Sequence, residues 1–146
     1  MIKIAKEIAT IAHKDQIDKA GKPYVNHLEA VASKVIGTEE KTVAWLHDIF
    51  EDTDFSQDQL SVFFPRTIVE AVEALTKRSG EAYEDYLRRI AENPLAIKVK
   101  MADLEHNTDL TRFDSPSESD KNRAQKYIER RKLLVELVRS KGPEGI

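Results

Sequence analysis

Ala44-Trp45-Leu46-His47-Asp48-Ile49-Phe50-Glu51-Asp52-Thr53 is the stretch on which the fold and the chemistry both turn. Trp45, Leu46, Ile49 and Phe50 recur at helical spacing and form an apolar stripe that must be buried. On the same helix His47 stands one turn before Glu51, and Asp48 one turn before Asp52. One edge therefore gathers an imidazole and three carboxylates. Like charges at this spacing repel by about a few tenths of a kcal/mol per pair on an exposed helix, and by more when half-buried. A divalent cation turns that repulsion into attraction. The blander reading of the dipeptide alone is a solvated helix edge with a terminal cluster of acids.

Helical periodicity continues on both sides, with glycine and proline between the periodic stretches. A first helix is expected from Ile2 to Asp18, stopped by Gly21-Lys22-Pro23, and a second from Asn26 to Val35. Thr38 reads as the N-cap of the helix carrying the decisive stretch, with Glu39 and Glu40 at its positive end. Ser56 with Gln59, and Thr67 with Glu70, read as capping boxes for a short helix ending before Pro65 and for one reaching Lys77. Arg78-Ser79-Gly80 is a turn, Ala82 to Glu92 a helix, and Pro94 opens a long helix to Thr111. Asp114 to Asp120 reads as a loop and Lys121 to Ser140 as a charged last helix. Residues 141–146, with Gly142-Pro143, read as a flexible tail. Ile97-Lys98-Val99-Lys100 alternates like a strand, but Met101 to Leu104 extend it at helical spacing. The expectation is an all-α, single-domain helical bundle over 1–146.

The bulk composition narrows the classes. A chain of 146 residues buries roughly 68–70% of its unfolded surface, enough for one unstapled core. No cysteine is present, so any metal site uses nitrogen and oxygen ligands, and a reducing cytoplasm suits the chain. Lys3, Lys6 and Glu7 interrupt the first apolar positions, unlike a secretory signal, and no segment reaches the ~18–20 apolar residues of a membrane span. A net charge of −3, from 26 acids and 23 bases, lacks the basic footprint of a nucleic-acid binder. A small anionic substrate needs only a few local cations.

Two further positions bear on how this stretch is read. His27 follows the Gly21-Lys22-Pro23-Tyr24 turn. Asp103 sits mid-helix on the face of Val99, where a carboxylate needs a partner; Lys100 alone would suffice for a salt bridge. The order His27, His47-Asp48, Asp103 resembles the signature of the HD superfamily of metal-dependent phosphohydrolases. Within it, the pattern is closest to the guanosine tetraphosphate (ppGpp) hydrolase domains and the small alarmone hydrolases. The resemblance rests on three blocks, Ala12-His13 through Gly21-Lys22-Pro23-Tyr24-Val25-Asn26-His27, Leu46 to Thr53, and Val99 to Asn107.

The resemblance implies an HD-type bundle binding one divalent ion through His27, His47, Asp48 and Asp103. Two imidazoles and two carboxylates suit Mn2+, with Fe2+, Ni2+, Co2+ and Zn2+ as alternatives. It implies catalytic roles for Glu51, which orients or deprotonates the nucleophilic water, and for Asp52, which orders that environment. Substrate contacts fall to Lys19, Asn107, Arg123 and Tyr127, while His13 and His106 read as packed, hydrogen-bonded histidines. The implied reaction removes the 3′-pyrophosphate of ppGpp or pppGpp. Alternatives are hydrolysis of another nucleotide or phosphorylated metabolite, or a silent nucleotide-sensing domain; the acidic pair Glu51-Asp52 argues against silence. The chain departs from the family at Asp15, at Leu28, at Leu104, and at Asp18, where the family has an arginine packed on the purine. An acid there weakens stacking and could read different base edges, so the base site is altered while the metal centre is complete.

Overall fold

The computed structural model describes residues 1–141; the expected tail beyond Lys141, including Gly142-Pro143, lies outside them. The helices are α1 (Ile2–Ala12), α2 (Tyr24–Ser33), α3 (Thr38–Leu46), α4 (Ile49–Asp52), α5 (Gln57–Phe63), α6 (Arg66–Ala74), α7 (Tyr83–Ala91), α8 (Pro94–Asn107) and α9 (Glu118–Arg139), with a 3₁₀ turn at Leu110–Arg112. The all-α expectation holds. Among the described residues no strand forms, and Ile17 and Pro23 make an isolated antiparallel bridge.

Several boundaries differ for local reasons. α1 ends at Ala12, not Asp18, because residues 13–23 fold as a loop around the Asp18 carboxylate. Its Oδ1 accepts the Ala20 and Lys22 amides at 2.9 and 3.0 Å. Asp and Asn favour such turns by offering the backbone a local acceptor. Gly21 takes φ +78° in this loop, a conformation that suits glycine. α2 runs two residues earlier than expected at each end. Gly37 (φ +102°) is the N-cap of α3, so Thr38 is already helical. The Ser56–Gln59 capping box forms, but Thr67 caps nothing; α6 starts at Arg66, whose Nε bonds Glu70 at 2.6 Å. α8 stops at Asn107, not Thr111. α9 begins three residues early, because Ser117 and Asp120 form a capping box inside the expected loop.

The most consequential difference is a break inside the decisive stretch. α3 ends at Leu46 and α4 starts at Ile49. Nδ1 of His47 donates to Ala44 O at 2.6 Å, occupying the carbonyl that a continuous helix would present to the Asp48 amide. The two halves share the apolar floor, with Trp45, Leu46 and Ile49 buried.

α3 packs on α1, α2, α6 and α8, while α8 touches α2, α3, α6, α7 and α9. α8 is thus enclosed on most sides, and buries Ala96, Val99, Ala102, Asp103 and Leu104. Leu28 and Leu104, both departures from the family pattern, are fully buried aliphatic side chains. The turn between α6 and α7 is pinned by Arg89, whose Nε and Nη2 donate to the two Glu81 oxygens at 2.7 and 2.8 Å, with Nη2 also reaching Thr76 O at 2.9 Å.

Leu46→Ala is expected to cost about 2–5 kcal/mol by deleting a fully buried side chain, read as a shift in the denaturant midpoint. The Arg89 hydrogen bonds hold the Glu81 carboxyl down at about 2, below its ordinary 4.5. A depressed carboxyl stabilises the fold above its unfolded pKa, and that stabilisation is lost as pH falls from about 4.5 to about 2. Glu81→Gln is therefore expected to lower Tm at pH 7, with the difference from wild type closing across that acid window.

Candidate metal centre

His27 from α2, His47 from the α3–α4 break and Asp103 from α8 converge, with one candidate ligand atom from each lying within 4.8 Å of the others. All three are buried, 2–6% exposed, which decides that none is a casually solvated surface group. Asp48 stands beside this trio, not within it; its Oδ2 is 3.1 Å from His47 Nε2 and accepts a hydrogen bond from the Tyr24 hydroxyl. The structure thus brings the four sequence candidates to one place, three of them tightly clustered.

His47 shows most directly what this place requires. With Nδ1–H donating to Ala44 O, a neutral ring turns a lone pair at Nε2 toward the acids. Nε2 is 3.1 Å from Asp48 Oδ2 and 3.4 Å from Asp103 Oδ1, yet forms a hydrogen bond with neither. Burial opposes a charge on this ring, but Asp48 and Asp103 outweigh it and push its pKa well above the ordinary imidazole value. Burial likewise opposes charge on Asp48, and the neighbouring His47 overcomes it, holding the carboxyl at about 2. Burial and Lys100 compete in the same way at Asp103, which stays well below the usual carboxylate range. The buried carboxylates of Asp48 and Asp103 demand a positive charge at His47 Nε2, and a divalent cation can supply it in place of a ring proton.

The surrounding groups aim these side chains. Asp103 Oδ1 meets His27 Nε2 at 2.9 Å and accepts from Asn107 Nδ2 at 3.2 Å, while Oδ2 accepts from Lys100 Nζ at 3.1 Å. The salt bridge to Lys100 and membership of the cluster are therefore both true of Asp103. His27 Nδ1 lies 2.7 Å from His106 Nδ1. Burial, then His27, depress the His106 pKa to about 4, so His106 is neutral and can accept or donate at that nitrogen. It can hold the His27 ring in either tautomer, including the one that leaves Nε2 free for a metal.

The centre floors a cleft of about 480 Å³. Glu51 and Asp52 line it, as do Lys19, Asn107, Arg123 and Tyr127. Glu51 Oε1 accepts the Lys77 amide from the turn after α6, and desolvation, then Asp48, raise its pKa against that bond. Asp52 ends α4 but is also engaged. His13 Nδ1 donates to Gln16 Oε1 at 2.7 Å, and Gln16 Nε2 donates to Asp52 Oδ2 at 3.2 Å. His13 is buried, as expected of a packed histidine.

Asp18 lines the cleft with its carboxylate already engaged. Beyond its two backbone bonds, its Oδ2 pairs with Arg112 Nη2 at 2.9 Å, so most of its acceptor capacity is used within the protein. Arg112 also reaches toward Asn107 Oδ1 at 3.4 Å and stacks near Phe113. Sequence reasoning missed Gln16, Tyr24, Lys77, Tyr83, Arg112, Phe113 and Arg130 as cleft residues. Tyr24 alone had a local signal, its place directly after Pro23 and three residues before His27.

No family model matches the chain. It is 30% identical over 142 residues to a probable GTP pyrophosphokinase of Mycobacterium leprae, covering 88% of this chain and 18% of that protein. Over 114 residues it is 32% identical to a guanosine-3′,5′-bis(diphosphate) 3′-pyrophosphohydrolase of Aquifex aeolicus, covering 70% and 16%. The bifunctional (p)ppGpp synthase/hydrolase SpoT of Escherichia coli K12 is 30% identical over 115 residues, covering 68% and 16%. The chain spans less than a fifth of the length of these curated relatives. Among solved structures, a metazoan orthologue of SpoT that hydrolyzes ppGpp superposes with TM-score 0.68 at 22% identity, over 97% of this chain and 95% of that one. By sequence and by fold, the chain belongs with the HD-type, ppGpp hydrolase-like domains.

Proposed function

We propose that this domain hydrolyses the 3′-pyrophosphate of ppGpp or pppGpp, releasing pyrophosphate and GDP or GTP. The observation that carries the reading is the buried His27–His47–Asp103 cluster, with Asp48 beside it, at the floor of a cleft flanked by Glu51 and Asp52. His27, His47, Asp48 and Asp103 would hold one divalent ion, Mn2+ by the oxygen-rich donor set. Such an ion polarises phosphoryl oxygens and brings the pKa of a water from ~15.7 toward ~7.

The protein's own groups supply the rest. Tyr24 fixes the Asp48 carboxylate, and Lys100 and Asn107 fix Asp103. Glu51 is tethered at Oε1 and has a raised pKa, properties of a base that orients the attacking water and takes its proton. Asp52, steadied by Gln16, orders the neighbouring water. Lys19, Asn107, Arg123 and Tyr127 are assigned to the nucleotide. No helix among the described residues is long and apolar enough to cross a membrane, and a cytoplasmic nucleotide pool accords with a cysteine-free chain.

A second reading keeps the chemistry and changes the base. Asp18, paired with Arg112, stands at the sequence position where the resemblance implies an arginine packed on the purine, and a neutralised pair would stack and hydrogen-bond differently.

Chelator-stripped protein is expected to be inactive and Mn2+ to restore turnover, with His47→Ala and Asp48→Ala losing metal in elemental analysis; full turnover in excess chelator contradicts the proposal. Glu51→Gln is expected to keep the metal and lose kcat by about 10²–10⁴-fold, and a near-normal kcat excludes Glu51 as the base. A panel of ppGpp, deoxynucleotides, cyclic dinucleotides and NADPH, with all products resolved by ion-exchange chromatography, separates the two substrate readings; pyrophosphate released from ppGpp alone is the expected result.

A further inference from the structure

One arginine on the wall of the cleft has no part in the chemistry assigned so far. Arg130 lies on α9, two turns after Arg123 and three residues after Tyr127, and lines the same cleft. Its guanidinium sits 3.8 Å from the ring centroid of Tyr83 and 5.8 Å from that of Tyr127. Among the described residues its side chain makes no ion pair and no hydrogen bond. The other arginines of the cleft are committed, Arg112 to Asp18 at 2.9 Å and Arg123 to Asp120 at 2.6 Å, and Lys100 is bound to Asp103 at 3.1 Å.

A guanidinium resting on an aromatic face spends that face on the ring. Its five N–H donors lie in the plane and point outward around the edge. The stack also removes rotamer freedom in advance, so little more is lost when an oxyanion arrives. Planar paired donors match two oxygens of one phosphate. Tyr83 leads back through Tyr86 (5.3 Å between ring centroids) to Lys100 (5.2 Å) and so to Asp103. This tyrosine end of the cleft is thus distinct from the Asn107–Arg112–Asp18 end on the other side of Asp103.

We propose that Arg130, presented by Tyr83, grips a diphosphate group of the substrate through a two-pronged contact at the tyrosine end of the cleft. This rests on the reading of the cleft as the site of a nucleotide bearing two diphosphates. It adds to that reading a binding residue beyond Arg123 and Tyr127. The alternative is that Arg130 merely ties α9 to α7.

The test compares the Mn2+-loaded wild-type chain with Arg130→Gln and Arg130→Lys. Steady-state kinetics use ppGpp, calorimetry uses inorganic pyrophosphate as the probe, and thermal unfolding monitors the fold. Arg130→Gln is expected to raise KM for ppGpp and Kd for pyrophosphate by about 10–100-fold, the scale of a lost charged hydrogen-bonding contact, with kcat changed less than about threefold. Arg130→Lys keeps the charge without the planar fork and is expected to recover only part of the affinity. A lowered Tm with unchanged KM and Kd in Arg130→Gln overturns the proposal in favour of the tie. If Arg130→Gln does not fold, wild-type KM and Kd in Arg130→Lys overturn it instead. Wild-type protein that fails to turn over ppGpp but binds pyrophosphate in an Arg130-dependent way sinks the substrate reading and leaves the subsite standing. Absence of pyrophosphate binding by the wild type overturns the subsite.

Discussion

A carboxylate kept charged inside the fold sets the terms for everything around it. Asp103 sits on the most enclosed helix, and its oxygens are met by Lys100, His27 and Asn107, with His47 Nε2 nearby. An isolated carboxylate is far too costly to bury, whereas one with donors on both oxygens is tolerable. The donors come from α2 and α8 and the facing imidazole from the α3–α4 break, so helix packing and site assembly are a single event. The same requirement accounts for the helix break. Only by leaving the helical ladder can His47 bond Ala44 O with one nitrogen and turn the other toward Asp48 and Asp103.

Along α8 the residues Lys100, Asp103 and Asn107 follow at spacings of three and four and share one face. They divide the cleft into a tyrosine-and-arginine end, a middle formed by the His27–His47–Asp103 cluster and an Asn107–Arg112–Asp18 end. Arg123 and Arg130 stand on the α9 wall of this cleft, and the Arg112–Asp18 pair closes the Asn107 end. The helix thereby acts as a ruler. Its rise of about 1.5 Å per residue sets about 10 Å between the first and last of these positions.

Much of this was readable from sequence because it depends on order and periodicity. Glycine and proline located most helices to within a few residues, and the apolar stripe of Trp45, Leu46 and Ile49 correctly announced a buried face. The spacing of His27, His47-Asp48 and Asp103 picked out side chains that do converge. Contacts between distant segments were not readable. Nothing local tells that Asp18 is saturated by the amides of Ala20 and Lys22 and by Arg112, ninety-four positions away. Nor does the run of charges on α9 distinguish Arg123, paired to its own helix, from Arg130, seated on a tyrosine of α7. The end of α1 was missed because periodicity continues past Ala12 while a side chain–backbone bond captures the chain.

The Asp18 loop also constrains how this protein can change over generations. Position 18 holds a turn together and neutralises a guanidinium at once, so an arginine placed there would undo the loop and set two cations against each other. Reaching that residue requires a compensating change at position 112, and the two sites are locked into epistasis. This end of the cleft is therefore held by two positions that have to change together, while the His27–His47–Asp103 cluster is untouched by them.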